Sequence, residues 1–359
     1  MFLSLRVFLP LLTASAPSSS ANREGGAEEE SLAVGGQAVM EGIMMRNGAH
    51  LALAVRKADG GIVALVGPWR SCFRASLTQK RWLRGFPVLV DTLINGIKAL
   101  NKSAELAAKA EGQDIKGWQL VLTLLAAVGL ALLLFVVVPH LLTIGLGWLS
   151  IAGDMEGLSF HLWDGLLKFL MFIGYIAAIS FVPDISRVFE YHGAEHKVIS
   201  AYEKGEDPIT PGAAARYSRL HPRCGTTFLL FVLGISILLH ALTVPALLSL
   251  WTPESALQKH GLILLFKLML MLPVSALAYE AIRAGAQVQN PVAGFLMRSP
   301  GLVLQLLTTR EPDYRELEVA LVALREALGD EAAARIETAP YERRNLGAKE
   351  NGDSGVEVV

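Results

Sequence analysis

The 359-residue chain has few cysteines and few charged side chains. Its two cysteines, Cys72 and Cys224, lie far apart and form no disulfide framework, which argues against a disulfide-stabilised secreted domain. Charged residues make up 18% of the sequence, whereas soluble domains average about 25%. Lys and Arg together number 32 and Asp and Glu 33, so the overall charge gives no support for a nucleic-acid partner.

Apolar residues, in contrast, are abundant and concentrated in long runs. Hydrophobic residues make up 52% of the chain, and its mean hydropathy is +0.43. Four runs have about 20 residues or more, the length that crosses a bilayer core of about 30 Å. The sequence therefore predicts a mainly α-helical, polytopic membrane protein. Its transmembrane domain covers 117–310, with spans at about 118–138, 162–182, 226–248 and 261–282.

The segments that flank this domain are predicted to lie outside the bilayer. Residues 33–70 predict a small β-rich unit, because Leu51, Leu53 and Val55 alternate with Ala before a turn at 59–61. Basic residues and a helical apolar repeat predict an amphipathic, interfacial helical region at 77–116, and 311–335 predict an amphipathic helix. Residues 1–32 predict a disordered leader (a signal, a transit peptide or an over-extended start), and 336–359 predict a disordered tail.

Basic residues distinguish the two sides of the predicted membrane domain. Four spans place the N-terminus, the loop 184–223 and the C-terminus on one side, which carries nearly all loop lysines and arginines. Cytoplasmic loops are enriched in these residues, so the termini are predicted to be cytoplasmic, in a bacterial inner membrane or, in a eukaryote, a plastid membrane. The expected partners are the lipid bilayer and a protein partner or second copy of the chain, with no nucleic acid.

The loop 184–223 contains an H-x-x-E-H motif, from His192 to His196. Four-residue spacing puts His192 and His196 on one face of a helix, one turn apart, where both can bind one metal ion. Glu195 can then act as general base on a metal-bound water without being a ligand. Because this order is the inverted zincin signature, the sequence predicts a divalent metal site, with Zn²⁺ as the favoured ion.

The predicted topology brings further donors to the same side. His221 and Cys224 precede the third span, and Glu280 lies where the fourth span ends. Each is a candidate metal ligand, and the sequence does not choose among them. Glu41, in a glycine-rich segment, is either a turn residue or a member of the site. The alternative for the two motif histidines is a hydrogen-bonded polar pair without a metal.

Four segments resemble the bacterial YqhQ-like family of membrane proteins. They are GGQAVMEGIMMR (35–46), RVFEYHGAEHKVISAYEKGE (187–206), HPRCGTTFLL (221–230) and LQLLTTREPDYRELEVA (304–320). The resemblance covers about residues 33–325. It implies a multi-pass inner-membrane protein of unknown function, described as a predicted metal-dependent enzyme, with relatives in photosynthetic eukaryotes. The residues that fall on family motif positions are His192, Glu195, His196, His221, Cys224, Glu41, Arg46 and Arg223.

Three functions are compatible with these features. The first is a membrane-bound, metal-dependent hydrolase that uses Glu195 as its base. The second is a non-enzymatic assembly, quality-control or scaffold factor, which accounts better for the β-rich unit and the C-terminal amphipathic helix. The third is a transporter or metal-ion handling protein. It ranks last, because transporters place ionisable residues near the middle of their spans, and the sequence indicates only His240 there.

Overall fold

The computed structural model describes residues 34–74, 80, 82–110, 117–154, 157–251, 253–288, 290–329, 334–346 and 357–358, so the predicted leader lies outside the described residues. The strands are β1 Gly35–Val39, β2 Gly42–Asn47, β3 His50–Arg56, β4 Ile62–Pro68, β5 Tyr341–Asn345 and β6 Glu357–Val358. The helices are α1 Gly85–Ala110, α2 Gly117–Leu132, α3 Val138–Trp148, α4 Leu158–Ile179, α5 Pro183–Glu203, α6 Pro211–Ala215, α7 Gly225–Leu250, α8 Ala256–Met269, α9 Met271–Gln287, α10 Pro291–Thr308 and α11 Tyr314–Leu328.

One sheet contains strands from both ends of the chain. The strand order is β1-β2-β3-β4-β5-β6, and the first four strands form an antiparallel meander. β5 then pairs parallel to β4, with Ile62 opposite Tyr341. The prediction of a disordered tail at 336–359 is therefore wrong for 341–345. This short segment is a strand because its backbone pairs with β4. A pairing with a distant strand leaves no periodic pattern in the segment's own sequence.

The sheet is buried on both faces. Ile43, Met45 and Ala52 point to a core shared with α5 and α11. Met44, Leu53 and Val63 point to the other core, where Ala99 and Leu106 of α1 pack. Because neighbouring side chains along a strand alternate between faces, this arrangement explains why β2 to β4 are apolar at nearly every position. The N-terminal unit is thus the middle layer of an α/β sandwich.

Four helical segments are long and apolar enough to cross a membrane: Gly117–Trp148, Leu158–Ile179, Gly225–Leu250 and Leu257–Gly285. The first comprises α2, a π-helical turn at Leu133–Val137 and α3, and its most apolar stretch has no buried residue. The π-turn ends two residues before Pro139, which lacks a backbone N–H. A further apolar helix, α10, follows the fourth segment; the sequence prediction assigned no separate helix there.

Small residues bring the apolar helices into close contact. A Cβ at Gly165 of α4 would collide with Ile237 of α7, and a Cβ at Gly301 of α10 would collide with Thr227 of α7. Small residues at such crossings let helix backbones approach closely. A third glycine, Gly85 at the start of α1, lies against the backbone of Ser275 and Ala276 in α9. The contact of Gly301 with Thr227 lies near the first turn of α7, which follows Cys224 directly. The contact of Gly85 connects α9 to α1, which packs on the sheet.

Candidate metal centre

The H-x-x-E-H segment lies in the middle of α5. Pro183 occupies the first turn of this helix, and Asp184 adds an acidic side chain there, both of which favour a helix start. The helix follows α4 after a short turn and packs against β1 and α11. Glu195 and His196 are buried, whereas His192 is half-buried. The motif is therefore held inside the sandwich with one histidine still accessible.

Two histidines and one cysteine form the centre of the site. Donor atoms of His192, His196 and Cys224 all lie within 4.8 Å of one another. The Nε2 atom of His192 is 3.2 Å from Sγ of Cys224, and the two imidazole centroids are 4.4 Å apart. Across the described part of the chain, this is the one group of three or more His, Cys, Asp or Glu donors with a geometry that could hold a metal ion.

The hydrogen bonds at the outer side of each imidazole assign its proton. Nδ1 of His192 lies 2.8 Å from the carbonyl of Thr308, and Nδ1 of His196 lies 2.6 Å from the carbonyl of Arg219. A carbonyl only accepts, so Nδ1 carries a proton in both rings, and the neutral form of each ring presents a lone pair at Nε2. Outer hydrogen bonds of this kind orient histidine ligands in metal sites. Nε2 of His196 is buried and has no hydrogen-bond partner among the described residues.

The pKa values of the two inner donors fit a metal ligand set. Burial, followed by the charge of His192, holds the pKa of His196 well below its ordinary value, so this imidazole stays neutral. Burial raises the pKa of the Cys224 thiol, and contacts with Thr226 partly oppose that shift. Without a cation, Cys224 therefore keeps its proton, and metal binding would release it. Catalytic zinc sites take three ligands from histidine, cysteine and carboxylate side chains and keep a fourth position open, and two histidines with one cysteine would fit this arrangement.

Glu195 lies beside these donors and against β1. Burial raises the pKa of its carboxyl to about 7, while the charge of His192 and the backbone N–H of Gly36 oppose that shift. A Cβ on Gly36 would lie 2.8 Å from Cδ of Glu195, so a glycine is needed for the strand to approach. The Oε2 atom is buried without a hydrogen-bond partner in the described ranges. An unused carboxylate oxygen beside the ligand set suits a general base.

Segment 305–312 packs against the motif helix and against His221. Arg310 N–H donates to the carbonyl of Phe189, and a Cβ on Gly193 would collide with the Arg310 carbonyl. The buried side chain of Gln305 binds both the N–H and the carbonyl of His221, each at 2.8 Å. Sequence reasoning missed Gly36, Gly193 and Gln305. Glycine and glutamine side chains are not typical metal ligands, so their residue type did not indicate a role. Their position inside the family-like segments was the signal that could have found them.

The remaining predicted ligands are outside the group of donors, although the ring centroid of His221 lies only 5.6 Å from that of His196. Nε2 of His221 is 3.4 Å from Glu203, and Arg223 pairs with the same carboxylate. The predicted role of Glu280 as a ligand is not supported, because Arg84 binds it with two hydrogen bonds of 2.7 and 2.9 Å. Glu280, in the fourth apolar segment, therefore lies at the start of α1 and not at α5. Cys224 is therefore the third donor that the structure favours.

Glu41 and Arg46 support the surroundings of the site. Glu41 has a positive φ of 50° in the β1–β2 turn, pairs with Arg187 at 2.6 Å and accepts a hydrogen bond from Tyr191. It thereby ties the turn to α5. Arg46 donates to the carbonyl of Gly48 and stacks over Trp69 with its guanidinium carbon 4.1 Å from the ring centroid. Neither side chain belongs to the group of donors that could hold a metal.

A shallow, largely polar cleft of about 450 Å³ lies next to the centre. Glu190 and Arg219 are part of its lining, together with Thr309, Arg310 and Glu311. Arg219 donates to Thr309, whose neighbour Thr308 accepts from His192. The same backbone segment therefore lines the cleft and orients a ligand histidine.

The protein is therefore a mainly helical one, with four potential membrane spans and a His₂Cys group beside an α/β sandwich. The chain belongs to the family described as "Protein of unknown function (DUF1385)", whose model matches residues 81–330. It is 33% identical over 312 residues to "Uncharacterized protein YqhQ" of Bacillus subtilis (strain 168), covering 84% of this chain and 93% of the relative. No solved structure matched the chain.

Proposed function

We propose that this protein is a membrane-embedded, metal-dependent hydrolase. The observation that carries the proposal is the group of His192, His196 and Cys224, next to a carboxylate oxygen of Glu195 that has no other described partner. Two rings with Nε2 lone pairs, one thiol and an open position match a catalytic Zn²⁺ site. Zn²⁺ is the favoured ion because imidazole and thiolate ligands both suit it.

Each of these residues would have a separate role in hydrolysis. When bound, Zn²⁺ would lower the pKa of a water to about 7 and polarise a carbonyl. Glu195 Oε2 takes the proton of the attacking water and later gives it to the leaving group. The carbonyls of Thr308 and Arg219 hold the two ligand rings in place.

The site's position favours a substrate at a membrane surface. Cys224 is the N-cap of α7, a potential span, and α5 begins four residues after another potential span ends. A peptide bond close to a span, or an ester linked to a lipid, would reach this position. Membrane insertion itself is supported by the length of the four helices and by the exposure of their apolar side chains, such as Leu125 at 63% and Leu238 at 60%.

Metal content tests the ligand set. Protein purified in detergent should contain about one Zn²⁺ per chain by mass spectrometry, and His192→Ala, His196→Ala and Cys224→Ser should each lose it at least tenfold. His221→Ala is the matched control, because its side chain pairs with Glu203, and it should keep its metal. Equal metal content in the wild type and in folded His192→Ala protein would refute the site.

Hydrolysis tests the role of Glu195. The probes are a fluorogenic peptide library and nitrophenyl acyl esters presented in detergent micelles. Glu195→Gln should keep its metal and its unfolding temperature but lose turnover by a factor of about 10² to 10⁴. Full turnover in this variant would reject Glu195 as the base.

The scaffold hypothesis has one observation in its favour: the sheet joins strands from both ends of the chain and forms a folded layer outside the potential spans. If the protein is a scaffold, Glu195→Gln should lower partner capture or protein abundance, and the wild type itself should show no hydrolysis. The same metal-replete variant therefore separates the two functions.

A further inference from the structure

A second polar cluster lies inside the bundle of potential spans, away from the metal centre. Its core is Asp164 of α4, whose Oδ2 accepts from Lys168 at 2.5 Å and from Lys267 of α8 at 3.0 Å. Asp164 is 2% exposed and Lys267 8%. Nearby Ile237 of α7 packs on Gly165, about 20 Å along α7 from Cys224. The two sites are therefore separate.

Four helices bring histidines to this cluster. The charges of Asp164, Lys168 and Lys267 act on His140 of α3 and on His240 of α7. Nε2 of His140 lies 3.2 Å from Nδ1 of His260, near the start of α8. Phe160 stacks edge-on against both His140 and His161. His140 and His260 are half-buried, so the outer end of the cluster is partly accessible.

The number of charges in the core does not balance. One carboxylate lies between two ammonium groups, so full ionisation leaves a surplus positive charge among apolar helices. An unbalanced charge is expensive in a membrane, and ionisable residues that persist there mark ion or proton pathways. Two ways of removing the surplus exist: one lysine releases its proton, or the cluster binds an anion.

The geometry favours proton release. Asp164 would repel an anion placed between the lysines, and its second oxygen, Oδ1, is buried without a hydrogen-bond partner in the described residues. Nε2 of His240 is likewise buried without one there. Unused acceptors beside ammonium groups are suited to passing protons. The cluster also lacks a group of three donors that could hold a metal among the residues described.

We propose that the Asp164–Lys168–Lys267 cluster is a proton-exchange site within the membrane. One ammonium group gives up a proton, which leaves a neutral Asp164–lysine ion pair. The proton passes along the hydrogen-bonded pair of His140 and His260 to water at the end of the bundle where α4 and α8 begin. Proton uptake reverses these steps. This proposal rests on the membrane placement of the bundle and does not depend on the metal centre.

Acid–base titration of the purified full chain in lipid nanodiscs tests the exchange. The wild type should release about one more proton per chain between about pH 6 and 9 than Lys267→Met, because an unperturbed lysine titrates near 10.4. Superimposed curves for the wild type and Lys267→Met over that range would overturn the proposal.

Measurements of the unfolding temperature and of anion binding distinguish a proton-exchange site from an anion-binding site. Lys267→Met leaves a balanced ion pair and should unfold at the wild-type temperature or higher at neutral pH. Asp164→Asn leaves two unpaired ammonium groups and should unfold at a lower temperature. Stoichiometric binding of inorganic phosphate or sulfate that is lost in Lys267→Met would overturn the proposal in favour of an anion site.

The proposed path has its own test. After a rapid pH jump, His140→Gln should release the same number of protons as the wild type, at least ten times more slowly. An unchanged rate would remove the histidine pair from the path. Zinc content should be the same in every one of these variants, so failure of this proposal is distinguishable from failure of the proposed hydrolase.

Discussion

Gly193, in the middle of the motif, has a role set entirely by space. Its missing side chain lets the Arg310 carbonyl approach α5, and the neighbouring Thr308 carbonyl orients His192. Gly193→Ala should therefore destabilise the protein by about 1–3 kcal/mol through overpacking and lower its zinc content. Gly174→Ala is the control, because a Cβ there meets nothing within 4 Å. Thermal unfolding and metal analysis of both variants check this prediction, which normal zinc binding by Gly193→Ala would contradict.

His221 makes stability depend on pH. Burial lowers its pKa from 6.5 to about 4, so the folded protein keeps the ring neutral while the unfolded chain gains a proton below about pH 6.5. Protons therefore favour the unfolded state, and this contribution to stability is lost as the pH falls from about 6.5 towards 4. Between about pH 7 and 5, the wild type should lose about 2 kcal/mol more stability than His221→Gln.

The free energy of unfolding at each pH, measured by denaturant titration in detergent, checks that difference. His50→Gln, at an exposed position at the start of β3, is the matched control. Parallel profiles for the wild type and His221→Gln would show that His221 titrates alike in both states.

At the scale of elements, β5 and β6 are strands that the sequence does not predict, and β5 is the longer of the two. Tyr341 is 3% exposed and donates a hydrogen bond of 2.5 Å to Glu326 of α11. Tyr341→Ala should therefore destabilise the sandwich by about 3–4 kcal/mol. Tyr314→Ala is the matched control, because Tyr314 is 62% exposed, and its effect should stay within about 0.5 kcal/mol. Limited proteolysis would report the loss, and equal resistance of both variants would contradict the role of β5.

The helix α11 shows how local and tertiary information combine. Asp313 and Glu316 form a capping box at its start, and Leu317, Leu321 and Leu324 face the sheet core. The cap and the apolar repeat are visible in the sequence and predict an amphipathic helix. Its docking on β2 and β3 requires knowledge of the strands, because an apolar face alone does not identify what covers it.

At the scale of the whole molecule, the sheet constrains the topology. β4 pairs with β5, so the N-terminal meander and the C-terminal strand belong to one sheet, and four membrane crossings would place both on the same side. In a Cys224→Ser background, Cys72 should react with a membrane-impermeant maleimide from the same side as a cysteine at exposed Arg216. A cysteine at exposed Ser150, between the first two spans, should react only from the other side.

Right-side-out and inverted vesicles check this labelling pattern. If the basic loops face the cytoplasm, Cys72 should be labelled in inverted vesicles alone. Labelling of Cys72 and the Ser150→Cys position from one side would contradict a four-span topology.

The four apolar helices and the pairing of His192 with His196 follow from the sequence alone, because both depend on residue patterns within a single helix. The sequence left the third ligand open among His221, Cys224 and Glu280. The tertiary structure favoured Cys224, placed Glu280 on Arg84, and added Lys267 of α8 to the Asp164–Lys168 pair of α4, a combination that no pattern in the sequence indicates. The physical reason is that contacts between elements depend on how helices cross, and small residues such as Gly165 and Gly301 decide those crossings.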